Sequence, residues 1–129
     1  MTFFKPHPKS DEDTIQAAFI EQCNRNSANI PELALFYHIP NEGKRSIMQA
    51  MRMKAIGVKA GVPDLALPVA RAPYCGFWIE FKTAKGKASP KQLWWHAALL
   101  EQGHQVVVCR TVEEAVTATM AYLFPETKS

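Results

Sequence analysis

The chain has 129 residues, three cysteines, a formal net charge of +3 and a hydrophobic share of 47%. This length fits a single domain, and the composition is ordinary for a soluble globular protein, with no apolar run near the roughly 20 residues of a membrane span. The net charge is too small to indicate a nucleic-acid partner by itself. The widely spaced cysteines argue against a disulfide framework or a zinc knuckle and favour a reducing cytoplasm.

The first half of the chain predicts a helix, a strand and a second helix. Ser10 and the acidic residues after it begin a helix that ends near Asn24. Residues 33–39 predict a strand, which Pro40 ends. The second helix covers about 44–56. Its apolar stripe, which we expect to face the core, consists of Ile47, Met48, Met51 and Ala55.

The second half predicts three strands and two helices. The third helix begins with Ser89 as its N-cap and Pro90 in its first position, and it ends at Gly103. A basic loop precedes it, and the last helix covers about 111–123. The strands are expected at 64–67, about 76–82 and 105–110.

The order α-β-α-β-β-α-β-α predicts an α/β fold, in which helices flank a mixed central sheet. The unit from Glu80 to Val108 is expected to be a right-handed parallel crossover. We expect one domain over 1–129, with a core of about 10–124 and short flexible ends.

Asp64, Glu80 and Lys82 are the candidate catalytic residues. Alternation along a strand places Glu80 and Lys82 on one face, roughly 7 Å apart, with Phe77, Ile79 and Phe81 on the other. Taken singly, Asp64 could be a turn residue, and Glu80 and Lys82 could lie on the solvated face of an edge strand. Together they favour an active site, because buried charges need a partner or a metal.

The residue types fit metal-dependent hydrolysis of phosphodiesters. Carboxylates are hard oxygen ligands that suit Mg²⁺ or Mn²⁺, and such ions also bind substrate phosphate. A bound ion lowers the pKa of its water and neutralises charge on the phosphate. Lys82 would orient the nucleophile or stabilise the developing charge.

The D…ExK pattern of Asp64, Glu80 and Lys82 matches the PD-(D/E)xK nuclease superfamily. A longer part of the sequence, from about residue 12 to 116, resembles the VRR-NUC family. This family includes stand-alone phage and bacterial proteins and the nuclease module of the Fanconi-associated nuclease. The chain resembles the stand-alone type. The resemblance rests on HIPNEGKR at 38–45, GVKAGVPDL at 57–65, WIEFK at 78–82, SPKQ at 89–92 and Gly103-His104.

The resemblance implies roles for individual residues. Asp64 and Glu80 would be the metal ligands, the Phe81 carbonyl a third oxygen, Lys82 the catalytic lysine, and Gln92 a residue that faces the metal site.

The family's first helix also contributes an acidic or amide residue to the site. Gln16 and Glu12 stand one turn apart and face the same way, whereas Glu21 lies on another part of the helix. We favour Gln16 and Glu12, although Glu12 could instead only complement the helix dipole.

Basic residues on the second helix and after Lys82 are candidate contacts to DNA phosphates, which position a duplex without reading its sequence. The turn at Asn41 is a further candidate through its backbone amides. Lys54 and Lys91 are expected to face solvent. The candidate contacts are Asn41, Lys44, Arg45, Arg52, Lys59, Lys85 and Lys87.

The third helix is apolar around more than half of its circumference, which is typical of a deeply buried helix or an interface. We expect a core stripe of Leu93, Trp94, Ala97 and Leu100, with Trp95 and Leu99 toward another side. Stand-alone members of the family are understood to be homodimers that cut four-way junctions, so the resemblance implies a homodimer.

The sequence thus predicts a Mg²⁺- or Mn²⁺-dependent endodeoxyribonuclease that hydrolyses branched DNA, in particular Holliday junctions, as a homodimer. We expect no membrane and no organic cofactor, and a cytoplasmic location in a bacterial cell with a bacterial or phage gene. Two alternatives are a flap- or nick-specific nuclease in a repair or phage complex, and a DNA-binding module without hydrolytic activity.

Overall fold

A computed structural model describes residues 11–40 and 46–126. The helices and strands follow the predicted order. They are α1 (Asp11–Asn26), a 3₁₀ helix (Pro31–Leu35), β1 (Tyr37–His38), α2 (Ile47–Ala55), β2 (Leu65–Leu67), β3 (Gly76–Phe81), α3 (Pro90–Glu101), β4 (His104–Cys109) and α4 (Val112–Leu123). In the described part of the chain, no helix is long and apolar enough to cross a bilayer.

The strands form one sheet in the order β1-β2-β3-β4. β2 is antiparallel to both of its neighbours, whereas β3 and β4 are parallel and are joined through α3. The mixed sheet and the parallel crossover are therefore confirmed. A parallel pair needs such a crossover because a tight turn reverses the chain direction.

The apolar core lies on the sheet face that α1 and α4 cover. Phe77, Ile79 and Phe81 are fully buried there, as the alternation along β3 predicts. Phe81 packs on Phe19 of α1 with ring centroids 6.0 Å apart, and Phe77 stacks on Tyr122 of α4 at 4.7 Å. Each such side chain contributes about 1.5–3 kcal/mol through its burial. This layer fixes β3 in place, and the opposite face of β3 is left for polar groups.

The strand predicted at 33–39 is wrong over most of its length. Residues Pro31–Leu35 form a 3₁₀ helix, and only Tyr37–His38 pair with β2. Pro31 starts the helical turn because its ring fixes φ in the helical range. Leu33 faces the core from this turn and is buried.

The expected core stripe of the second helix is also wrong. Ile47, Met48 and Met51 are 80%, 82% and 65% exposed, and none of the residues of α2 is buried. The helix starts later than predicted, because Ser46 forms a capping box with Gln49. Periodicity identifies an apolar stripe but does not say what covers it.

The third helix presents the opposite face from the one expected. Leu99 is buried, while Leu93, Trp94 and Leu100 are 56%, 65% and 61% exposed, and Ala97 is exposed as well. The inward face instead combines Leu99 with half-buried Gln92, Trp95 and His96. A helix that covers charged groups needs polar side chains on its inner face, so the most apolar stripe is not the buried one.

Candidate active site

Sheet pairing brings Asp64 and Glu80 together. Leu65 pairs with Ile79 in the antiparallel ladder, so the residues just beyond that pair, Asp64 and Glu80, lie opposite each other. The Oδ2 atom of Asp64 accepts a hydrogen bond of 2.7 Å from the backbone amide of Phe81. The side chains of Asp64 and Glu80 are also hydrogen-bonded to each other.

Glu80 and Lys82 are buried, with 1% and 8% of their surfaces exposed. This burial contradicts the alternative of a solvated face on an edge strand. β3 is an inner strand of the sheet, and α3 packs over this region through its contact with β4. A carboxylate and an ammonium group in such a place are costly to bury unless they pair or bind an ion.

The negative charge of one carboxyl group makes it harder for the other to ionise. Burial, followed by the charge of Asp64, raises the pKa of Glu80 to about 9, against the opposing effect of Lys82. Burial also raises the pKa of Asp64. Without a bound cation the pair therefore keeps a proton near neutral pH, as expected for two carboxylates that share one site.

Gln92 contacts Glu80 from the first turn of α3. Its Nε2 donates a hydrogen bond of 3.2 Å to Oε2 of Glu80, while its Oε1 accepts one of 2.8 Å from the backbone amide of Ser89. The helix cap thus fixes the orientation of the amide, which directs its NH₂ group at the carboxylate. Gln92 therefore lies beside Glu80, and its role in an active site stays a prediction.

His96 was missed by the sequence analysis. Its Nε2 lies 3.4 Å from Oε1 of Glu80, and burial, followed by the charge of Lys82, lowers the pKa of the imidazole. The available signal was the spacing from Gln92, because residues four apart on a helix share one face.

Gly61 explains how the loop before Asp64 reaches α3. Its φ is +92°, and a Cβ atom there would lie 2.7 Å from the backbone carbon of Lys91. Only glycine allows this approach without strain. The loop with Asp64 and the helix turn with Gln92 thereby lie against each other, and Pro63 in this loop is fully buried.

The first helix also reaches the site. Burial raises the pKa of the Glu12 carboxyl group, while the charge of Lys82 and the nearby backbone of Thr83 lower it. A residue that only complemented the helix dipole would not need to lie beside Lys82. Glu21 lies elsewhere, in an exposed ion pair with Arg25 at 3.9 Å.

Gln16 takes part in a chain of polar contacts that the sequence analysis did not anticipate. Its amide nitrogen lies 3.1 Å from Nδ1 of His38, and that ring nitrogen lies 2.9 Å from the backbone oxygen of Asp64. Ile39 donates its amide to the same oxygen at 2.9 Å. His38 therefore contacts the backbone, not the carboxylate, of Asp64, and Gln16 contacts His38.

Several candidate DNA contacts lie on exposed surface. Lys85 and Lys87 are exposed in the loop after Lys82, and Arg52 and Lys59 are exposed on α2 and beyond it. Asn41, Lys44 and Arg45 lie outside the described residues.

A further arginine, which the sequence analysis missed, holds the loop after Lys82. Nη1 of Arg110 donates to the backbone oxygens of Thr83 at 2.5 Å and Gly86 at 2.7 Å. The guanidinium thus restrains the loop that carries Lys85.

The donor atoms fit a hard divalent cation. Over 11–40 and 46–126, no three His, Cys, Asp or Glu side chains form a metal-binding group. The pair of Asp64 and Glu80 therefore offers two side-chain ligands, and the Phe81 carbonyl is the predicted backbone ligand. Mg²⁺ and Mn²⁺ suit such a set, because they commonly bind through one or two carboxylates and complete their shell with water and phosphate.

Comparison with known proteins identifies the family. A family model of the VRR-NUC domain matches residues 10–113. The chain belongs to the VRR-NUC family. A solved structure named "VRR_NUC domain protein" is 28% identical in sequence to this VRR-NUC chain. The match covers 87% of each chain, with a TM-score of 0.74. None of the curated proteins compared with the chain matches it. The resemblance and the fold predicted from the sequence are confirmed, and membership implies a nuclease of the PD-(D/E)xK type.

Proposed function

We propose that this VRR-NUC protein is a Mg²⁺- or Mn²⁺-dependent endonuclease that hydrolyses phosphodiester bonds in branched DNA, with Holliday junctions as its main substrate. The observation that carries the proposal is the pair of opposed carboxyl groups of Asp64 and Glu80 beside the buried Lys82. Removing these groups from water costs free energy, and the raised pKa of Glu80 reflects that cost. A bound divalent cation would offset this free-energy cost, and metal-dependent hydrolysis of phosphodiesters requires such a cation.

Each residue of the site has a distinct role in this proposal. Asp64, Glu80 and the Phe81 carbonyl would hold the ion, which when bound supplies charge neutralisation at the phosphate and a more acidic water. Lys82 would donate a hydrogen bond to the attacking water or to the phosphate oxygen that gains charge.

Other groups support these ligands. Gln92 holds one oxygen of Glu80, and Glu12 places a carboxylate near Lys82. His38 contacts the backbone oxygen of Asp64, and Gln16 lies beside the same ring nitrogen of His38.

DNA would approach over the basic surface beside Lys82. Lys85 and Lys87 are exposed in the loop after Lys82, and Arg52 and Lys59 are exposed on α2 and after it. Such side chains contact phosphates and release counterions, so binding should weaken steeply with salt and depend little on sequence. Asn41, Lys44 and Arg45 remain candidates for the same surface from their sequence positions.

The dimer proposed here uses the exposed apolar face of α3. Leu93, Trp94 and Leu100 expose more than half of their surfaces on one side of this helix. Exposed apolar patches of this kind mark interaction sites in soluble proteins. A two-fold dimer would present two sites symmetrically to the two cut strands of a junction.

The proposed interface is tested by light scattering coupled to size exclusion. We expect a dimer for the wild type and a monomer for Trp94→Glu. A wild-type monomer at the concentration at which it cuts junctions would contradict the dimer.

We further infer one nuclease domain over 1–129, with its core at about 10–124, and a cytoplasmic location in a bacterium, from a bacterial or phage gene. The three cysteines support a reducing compartment, because Cys23, Cys75 and Cys109 are all free.

The substrate is tested with labelled four-way junction, flap, nicked and plain duplex DNA, in Mg²⁺, Mn²⁺ or chelator. We expect metal-dependent cuts placed symmetrically in the junction. Equal cleavage of flap or nicked DNA would favour a general structure-specific nuclease. Binding without cleavage in either metal would leave only a DNA-binding module.

A further inference from the structure

Glu80 is held from one side by two residues of α3. Gln92 donates to Oε2 at 3.2 Å, and His96 Nε2 lies 3.4 Å from Oε1. These two residues are one helical turn apart, so both face the sheet. Glu80 also bonds to Asp64 through its carboxyl group. Each oxygen of Glu80 therefore has its own partner on α3, while the carboxyl group also faces Asp64.

We propose that His96 is a positioning residue for Glu80. Its Nε2–H holds Oε1 while Gln92 holds Oε2, so that the carboxylate plane is fixed and its free lone pairs point at the site beside Asp64. This inference rests on the proposed function, because it assigns His96 a role only if Glu80 binds a divalent cation. Hydrogen-bonded partners of metal-ligating carboxylates typically change metal affinity by about 10–100-fold when removed.

The location of His96 supports this role over simple space filling. Its side chain is 17% exposed, and its ring lies against a carboxylate with only 2% of its side chain exposed. The neighbouring inward positions of the helix are filled by Leu99, which is buried, and Trp95, which is half-buried. A residue needed only for packing at this position would be apolar, because a polar group next to buried Glu80 is useful only if it hydrogen-bonds.

Two substitutions separate the hydrogen bond from the bulk of the ring. His96→Gln places an amide nitrogen near the position of Nε2 and keeps a donor, whereas His96→Leu keeps the volume and removes the donor. His104→Gln is the matched control. His104 lies on the neighbouring strand opposite Gly76, at the far end of β3 from Glu80, and accepts a hydrogen bond of 3.0 Å from Trp78.

The experiment is isothermal titration of the DNA-free protein with MnCl₂, accompanied by thermal unfolding. We expect His96→Leu to weaken Mn²⁺ binding by about 10–100-fold. His96→Gln should retain most of the affinity, and His104→Gln should match the wild type. In junction assays at limiting Mn²⁺, His96→Leu should lower the rate while KM for DNA stays unchanged, because His96 does not contact the substrate.

The outcomes distinguish this proposal from the proposed function. Equal Mn²⁺ affinity in the wild type and in folded His96→Leu would overturn the positioning role and leave the nuclease assignment intact. Equal loss in His96→Gln and His96→Leu would also overturn it, since the donor would then not be what His96 supplies. Absence of Mn²⁺ binding in the wild type would refute the metal site itself and this inference with it.

Discussion

The backbone amide of Phe81 donates to Oδ2 of Asp64 over 2.7 Å, so the strand that carries Glu80 also orients the carboxylate opposite it. The same carboxyl group is hydrogen-bonded to Glu80, a contact that a bound cation would replace. The site is thus built on the sheet, where positions are held more rigidly than on loops.

Replacing Lys82 tests the proposed chemistry. Lys82→Ala should lower junction cleavage by about 10²-fold or more, because it removes the group that stabilises developing charge. Junction binding, measured in Ca²⁺ by gel shift, should change little. Lys85→Ala is the control, since this exposed lysine should affect binding and its salt dependence more than the rate of bond cleavage. Unaltered cleavage in Lys82→Ala would remove Lys82 from the mechanism.

The raised pKa of Glu80 predicts how stability depends on pH. The folded value of about 9 lies above the ordinary value of 4.5, so between these limits the metal-free folded state holds more protons than the unfolded state. The unfolding free energy of metal-free protein should therefore fall as pH rises from about 5 to 9. Urea unfolding in chelator at several pH values measures this.

Glu80→Gln provides the comparison for the pH prediction. The amide cannot ionise, so the slope in this window should become smaller. Adding Mn²⁺ to the wild type should raise stability most at high pH, because the ion replaces a proton. A wild-type slope that Glu80→Gln leaves unchanged would show that other groups cause it.

Gly61 and Gly57 form a matched pair for testing the contact between the loop and α3. Both have positive φ, +92° and +103°, but a Cβ at Gly57 would meet nothing within 4 Å, whereas one at Gly61 would lie 2.7 Å from Lys91. Gly57→Ala should cost about 1–2 kcal/mol from backbone strain. Gly61→Ala should cost a further 1–3 kcal/mol or so from overpacking, and it should lower cleavage as well. Equal losses of unfolding free energy would contradict the close approach.

Arg110 should stabilise the loop that follows Lys82. Arg110→Ala removes the donors to Thr83 and Gly86 oxygens, which should cost about 1–3 kcal/mol. Hydrogen exchange should become faster in this loop, where the amide of Gly86 bonds to Thr83 oxygen at 3.1 Å. Arg25→Ala is the control, because its ion pair with Glu21 is exposed. Unchanged loop exchange in Arg110→Ala would show that the loop holds its shape alone.

Much of the fold follows from local patterns. The alternation of Phe77, Ile79 and Phe81 identifies an inner strand with one apolar face, and Ser89-Pro90 marks the start of α3. These signals lie within a few residues of one another. Patterns of this range are the ones that sequence periodicity captures.

The wrong predictions concern helices whose buried face is decided by the element on which they pack. An apolar stripe on α2 or α3 does not reveal whether it faces the sheet, and here Met48 and Trp94 face outward. For α3, the charge of buried Glu80 selects the polar side of the helix, which places Gln92 and His96 inward. That choice depends on strand register, which no single helix encodes.

The contacts of the candidate site could also be predicted only in part. The proximity of Asp64, Glu80 and Lys82 could be predicted, because they form a short pattern in or next to two adjacent strands. His38 and Arg110 could not, since their contacts join segments more than 20 residues apart: His38 with Asp64, and Arg110 with Thr83.

The most direct test of the proposed site is a crystal structure of the protein grown with MnCl₂, with data collected at a wavelength where manganese scatters anomalously. The account predicts one anomalous peak between β2 and β3, within about 2.1–2.2 Å of a carboxylate oxygen from both Asp64 and Glu80. An anomalous peak bound elsewhere, or none beside these two carboxylates at saturating Mn²⁺, would contradict it.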